Sequence, residues 1–149
     1  MLVTFDPATD TPERLRALAA ERHIDTARWT LLRGSDDDVR TMTLLDAFGA
    51  LIANTDRHHG NLSLLLQDHR WRLAPAYDML PMLYAQVNGE LVERDFNTRD
   101  LHPSAATLAA WPRALELARA FWHSAAGDER ISPGFQAIAR QNLIHLQAV

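Results

Sequence analysis

LLDAFGALIANTDRHHGN, residues 44–61, joins two unlike halves. The first half continues a helical pattern: Val39, Met42, Leu45, Phe48 and Ile52 recur at helical spacing and predict one apolar face. Ala53 and Asn54 are expected to end that helix. The second half, Asn54-Thr55-Asp56-Arg57-His58-His59-Gly60-Asn61, is polar throughout, with leucine-rich segments on both sides. A polar loop in such a setting must be pinned to the core by its own hydrogen bonds, or be functional, or both.

The residues that follow turn the chain back. Leu62–Leu66 is a compact apolar run, Gln67–Arg70 a polar turn and Trp71–Ala74 a second short run, which together read as a β-hairpin. Pro75 and Pro81 then bracket a loop containing Ala76-Tyr77-Asp78-Met79, with Asp78 seventeen residues after Asn61. Phosphoryl transfer accounts for these residue types. In the protein kinase catalytic loop an Asp that accepts the proton of the attacking hydroxyl stands five positions before an Asn that binds magnesium, and a further Asp holds metal against the phosphates. Asp56 and Asn61 have the five-residue spacing, and the hairpin would carry Asp78 back to the same edge. Carboxylate and amide oxygens are hard ligands suited to magnesium. Taken singly, Asn-Thr-Asp can equally be an Asx-type cap and Asp78 an ordinary loop residue. The ordered set of helix, Asp, Asn, hairpin and Asp is more specific.

Adjacent His58 and His59 do not make a metal site, because neighbouring residues seldom point at one ion and no helical His pair accompanies them. His58 is expected to fix the loop by hydrogen bonding and His59 to be exposed. Arg57 could hold an acceptor or a phosphorylated loop, but a solvated side chain is the favoured reading.

Upstream, Leu2–Phe5 is a strand candidate. Asp10 or Thr11 can cap a helix with Pro12 and Glu13 in its first turn, running to about His23 and burying Leu15, Leu18 and Ala19. Trp29–Leu32 is a second strand candidate. Gly34-Ser35 breaks it, and Asp36–Asp38 open the next helix. Downstream, Leu83–Arg99 has no clear period and reads as a long loop. Helical patterns resume over Ser104–Trp111, Arg113–Ser124 and Pro133–Leu146, with Leu115, Ala118, Phe121 and Trp122 as a buried stripe. The expected class is α+β, mainly α, with a short βαβ-like segment first.

Composition narrows the chemistry. The 149 residues suit a chain with a real core, and 47% of them are hydrophobic. A net charge of −4 argues against direct nucleic-acid binding. There is no cysteine, which excludes disulfides, thiolate nucleophiles and Cys-based metal sites. All 15 Lys+Arg residues are arginine, so no lysine can serve a catalytic role. No apolar run is long enough to span a membrane, and the N-terminus lacks the pattern of a signal peptide, so a cytoplasmic location is expected.

Leu44–Asn61, followed by LSLLL and WRLAPAYDMLP, resembles the C-terminal lobe of HipA-family Ser/Thr kinases, and MLPMLYA with the later FWHSAA region is most similar to its YjjJ-like branch. The resemblance covers about residues 41–149 and implies a kinase-like fold and ATP- and Mg2+-dependent phosphoryl transfer to a protein serine, as in toxin–antitoxin systems. It implies Asp56 as catalytic base, Asn61 and Asp78 as magnesium ligands that also position ATP, and Asn54, Thr55 and His58 as supporting loop residues. An aminoacyl-tRNA synthetase as substrate and a HipB-like antitoxin or companion subunit as partner follow from the same resemblance.

Two departures accompany it. The family's ATP-gripping parts, a phosphate-covering glycine loop and a lysine, have no counterpart, which implies no activity for this chain alone. Residues 1–40 are instead similar to a fragment of SCO/SenC thioredoxin-like copper chaperones, but without that family's Cys pair. The junction near Arg40 fits a fused or mispredicted gene or a chimera, and Asp36–Arg40 can equally extend the kinase helix. A non-catalytic binding module and a small-molecule phosphotransferase of the kinase-like superfamily are the competing functions. A thioredoxin-like carrier would need cysteine.

Overall fold

The computed structural model describes residues 2–4, 9–58, 61–88, 92, 94–96 and 101–147. The chain divides into two compact units, Met1–Met42 and Thr43–Val149. It is a mainly helical α+β protein, with four α-helices and a short β-hairpin among the described residues.

The first unit opens with a βαβ segment. Strand β1 (Leu2–Thr4) pairs in parallel with β2 (Leu31–Arg33), Leu2 opposite Leu31 and Thr4 opposite Arg33, and helix α1 (Pro12–Glu21) makes the crossover. Thr11 is the N-cap of α1, its hydroxyl accepting from the Arg14 amide at 3.3 Å, with Pro12 directly after it. Only Ala19 of α1 is fully buried. Leu15 is half-buried and Leu18 exposed, contrary to the expected stripe, because a two-stranded sheet offers the helix little surface to cover. Trp29 precedes β2 and is exposed. Phe5, expected in the first strand, lies outside the described residues.

Helix α2 (Asp36–Leu51) starts with a capping box. The Ser35 amide donates to Asp38 Oδ2 at 2.8 Å, and the Asp38 amide donates to Ser35 Oγ at 3.2 Å. Its three opening aspartates suit the positive end of the helix dipole. Of the apolar face read from the sequence, Ile52 just past the helix end is buried and Val39, Met42, Leu45 and Phe48 are half-buried, while Ala47, Gly49 and Leu51 beside them are also buried.

The helix ends in a Schellman motif. The Asn54 amide donates to the Gly49 carbonyl at 2.9 Å and the Ala53 amide to that of Ala50 at 3.2 Å, with Ala53 in the left-handed region at φ 58°. Two further bonds anchor this end. Trp122 Nε1 donates to the Leu51 carbonyl at 3.1 Å, and the Leu83 amide donates to the Ala53 carbonyl at 2.9 Å.

Strands β3 (Leu64–Gln67) and β4 (Arg70–Leu73) form the expected antiparallel hairpin, Leu64 opposite Leu73 and Gln67 opposite Arg70. Asp68 and His69 make its two-residue turn, both with positive φ (48° and 60°), as a type I′ turn demands. A turn of 3₁₀-helix, Met82–Tyr84, overlaps the start of the segment expected to be a loop, and Tyr84 and Phe96 within that segment are buried. Residues 105–110 form hydrogen-bonded turns, not the expected helix. The Thr107 hydroxyl accepts from the Ser104 amide at 2.9 Å and Ser104 Oγ accepts from the Thr107 amide, which closes the segment on itself before α3 (Trp111–Gly127) begins.

Helices α3 and α4 (Pro133–Gln147) pack as an antiparallel pair. Arg119 of α3 donates twice to the Leu146 carbonyl near the end of α4, while Arg140 of α4 donates to Ala126 near the end of α3. The core of the second unit gathers Ala47, Leu51 and Ile52 with Ala114, Ala118 and Trp122 and with Ala139 and Leu146. Trp122 is its hub, with Tyr84, Phe96, Phe121 and Phe135 rings 5.0–6.3 Å away. Tyr84 Oη and the Asn142 side chain share a buried hydrogen bond of 2.9 Å, which satisfies both polar groups inside that core.

Candidate functional site

The polar loop leaves the core at Asn54, whose residue is 1% exposed. Its Oδ1 accepts from the Asp56 amide at 2.9 Å. This is the Asx turn that the residue types permitted, and it fixes the backbone of Asp56 against a buried anchor. Thr55, Asp56 and His58 are exposed, so the turn presents Asp56 to solvent from a rigid base. His58 Nε2 lies 3.7 Å from Asp56 Oδ1, and the His58 carbonyl accepts from the Asn61 amide at 3.1 Å. His58 thus braces the loop through its backbone while its ring sits beside the carboxylate. His59 lies outside the described residues.

Asn61 closes the loop onto Asp56. Its Nδ2 donates to the Asp56 carbonyl across a long 3.5 Å contact. An amide whose nitrogen is spent on a carbonyl keeps its oxygen for another partner, which is the orientation a cation ligand requires. Asp56 and Asn61 are therefore brought together.

Asp78 arrives by the hairpin. It has φ 56°, is exposed, and makes no hydrogen bond or ion pair with Asp56, Asn61 or any other described residue. Its two neighbours are tied back on either side. Tyr77 Oη is 3.1 Å from Ser63 Oγ, two residues past Asn61, and Met79 Cε would lie 3.4 Å from a methyl built on Gly49 of α2. Among the described residues no three His, Asp or Glu side chains form a metal cluster. The donor set in question has a different make-up: one amide oxygen on half-buried Asn61 and the carboxylates of exposed Asp56 and Asp78, few in number, which fits an ion that retains most of its waters.

Arg57 is exposed, as expected, but its side chain is held at two points. Its Nε donates to Asp46 Oδ1 at 3.0 Å and its Nη1 to the Asn54 carbonyl at 3.0 Å. The aliphatic part crosses Gly49, where an added Cβ would lie 2.5 Å from Arg57 Cδ. A half-exposed ion pair such as Arg57–Asp46 contributes little stability, about 0–1 kcal/mol. Its effect is geometric. The signal in the sequence was Gly49 itself, a glycine inside a helix, which costs roughly 0.5–1 kcal/mol against alanine and so calls for a packing reason.

The chain matches the family described as HipA-like C-terminal domain over residues 8–140. The matched range begins well before Arg40, so most of the first forty residues fall inside it. A stretch of 95 residues, 64% of this chain, is 43% identical to the toxin YjjJ of Escherichia coli (strain K12), and covers 21% of that protein's length. The chain therefore spans about a fifth of the curated relative it matches. No solved structure matches.

Proposed function

This chain belongs to the HipA-like C-terminal domain family, and on that premise we propose that it carries the catalytic and metal-holding lobe of an ATP- and magnesium-dependent Ser/Thr kinase of the toxin type. The observation that supports this best is the loop itself. Asp56, held by a buried Asn54, stands beside Asn61 at the family spacing, and the flanks of Asp78 are tied to Ser63 and toward Gly49.

In this reading Asp56 accepts the hydroxyl proton of a protein serine as the serine oxygen attacks the γ-phosphorus of ATP, the bond to the β–γ bridging oxygen breaks and ADP leaves. The open side of the Asx turn leaves room for that hydroxyl. Asn61 and Asp78 would hold Mg2+, which when bound would supply positive charge against the phosphates. Catalysis in this class is positioning and electrostatics, so a rigid loop with exposed oxygens is what the chain has to supply. An antitoxin or companion subunit is the proposed partner, and an aminoacyl-tRNA synthetase the proposed substrate, both by analogy with the family. A cytoplasmic setting goes with these; no described helix is long and apolar enough to cross a membrane.

The chain contains no lysine to pair ATP phosphates, so by itself it should turn over ATP negligibly. A kcat near the roughly 1–100 s⁻¹ of ordinary kinases would contradict that. In a longer protein carrying this lobe, or with a companion subunit that restores activity, Asp56→Ala should lower kcat by about 10²–10⁴-fold. A loss of tenfold or less would remove Asp56 from the role of base.

A further inference from the structure

We infer that Arg57 is a positioning residue that couples the Asp56 loop to the Asp78 loop, and that position 49 is glycine in order to seat it. The inference rests on the kinase-site reading, since it concerns how that site is held together. Three groups meet the Arg57 side chain, and Met79 borders the same notch in α2. Arg57 Nε engages Asp46 on the outer face of α2, and Nη1 engages the Asn54 carbonyl, one peptide before Thr55. The Arg57 stem fills the space where a Gly49 side chain would stand, and Met79, next to Asp78, closes over the same spot.

The arginine is adjacent in sequence to Asp56, so wherever its head is fixed the carboxylate beside it is oriented. Its planar fork allows two acceptors to be engaged in fixed directions, which a lysine cannot do. A Cβ at position 49 would meet Met79 Cε at an ordinary contact distance of 3.4 Å but would collide with Arg57 Cδ at 2.5 Å, so the glycine is needed for the arginine stem and Met79 borders the same notch. Asp46 and Gly49 are three residues apart in α2, hence on one helix face, and together they form a socket of one anion and one gap. The two loops that carry the oxygen ligands thus share the Gly49 notch of α2, one through the Arg57 stem and the other through Met79.

The test uses the full chain, 15N-labelled, in two arms with Arg57→Ala, Gly49→Ala, Arg57→Lys and the Gly49→Ala/Arg57→Ala double variant. In the first arm, without metal, amide exchange at Asp56 and Asn61 should quicken about tenfold in both alanine variants, the scale of one charge-assisted hydrogen bond. The Trp122 indole exchange and the thermal midpoint should stay near wild type. The double variant should be no worse than either single one, because the methyl and the arginine stem compete for one space. Arg57→Lys should recover only part of the protection.

In the second arm Mn2+ is titrated as the probe and the broadening of amides near 56, 61 and 78 is followed. Wild type should show all three losing intensity at one common concentration, with the midpoint raised about fivefold or more in Arg57→Ala and Gly49→Ala. Unchanged exchange at Asp56 and Asn61, or a loosened loop with an unchanged Mn2+ midpoint, overturns the inference while leaving the site reading intact. Absence of a shared Mn2+ response in wild type sinks the site reading, and the positioning role with it.

Discussion

Replacing Trp122 by phenylalanine should cost this protein about 2–5 kcal/mol, and the structure says where the loss comes from. The indole is fully buried, and its Nε1 is the donor to the Leu51 carbonyl at 3.1 Å. That carbonyl is in the last turn of α2, where no intrahelical donor remains. Phenylalanine keeps the six-membered ring but strands the acceptor in the core, at about 1–3 kcal/mol. Losing the five-membered ring leaves space among Tyr84, Phe121 and Phe135 that these rings can only partly refill, which adds about 1–2 kcal/mol. Set against a typical total of roughly 5–15 kcal/mol, this is a large share. Urea unfolding followed by near-ultraviolet circular dichroism measures it as a lower midpoint at unchanged slope. A loss below about 1 kcal/mol would mean that the Leu51 carbonyl finds another donor, and the account of how α2 is anchored ahead of the Asn54 turn would be wrong.

Two smaller perturbations probe other parts. His69→Gly, at φ 60° in the exposed hairpin turn, should stabilise by about 0.5–1 kcal/mol, since glycine takes that conformation without steric cost; a destabilised hairpin, read from the urea midpoint, would refute the turn assignment. At Asp128, hydrogen bonds from the Arg130 side chain and backbone hold the carboxyl down from 3.8 to about 2. A depressed folded value means that its stabilisation is complete above the unfolded value and is lost as pH falls from about 4 through about 2. Arg130→Ala should return the Asp128 carboxyl 13C titration toward 3.8; a midpoint still near 2 would show another cause.

The sequence made the hairpin and the helix starts legible because their signals are local. Ser35 with Asp38, Thr11 with Pro12, and Ser132-Pro133 each carry their cap within one turn of chain. The Asn54 turn was legible for the same reason. What failed depended on partners far along the chain. Leu18 has the right spacing to be buried but little beside it to be buried against, and Phe96 lies in an aperiodic segment yet meets Trp122. Residues 104–111 had helical composition, but Ser104 and Thr107 bond to each other's backbones and hold a turn instead. In the candidate site, Asp56, Asn61 and Asp78 are proposed from their spacing and the family resemblance. The exposure of Arg57 was legible but its anchoring was not, because Asp46 and Gly49, which hold it, belong to the preceding helix, and nothing in the loop's own residues announces them.

The bond from the Leu83 amide to the Ala53 carbonyl gives the excursion between them a closed neck. Asp56, Asn61, the hairpin and Asp78 all hang from that neck, like beads on a drawstring bag whose mouth is tied to the core. Changes at the hairpin tip then alter the length of the bag and not its mouth. Lengthening such a closed loop costs only about 0.6 kcal/mol for each doubling. The excursion is consequently a place where lineages can vary the tip, and with it whatever the tip meets, while the neck keeps both ends of the oxygen-bearing segment at the same address.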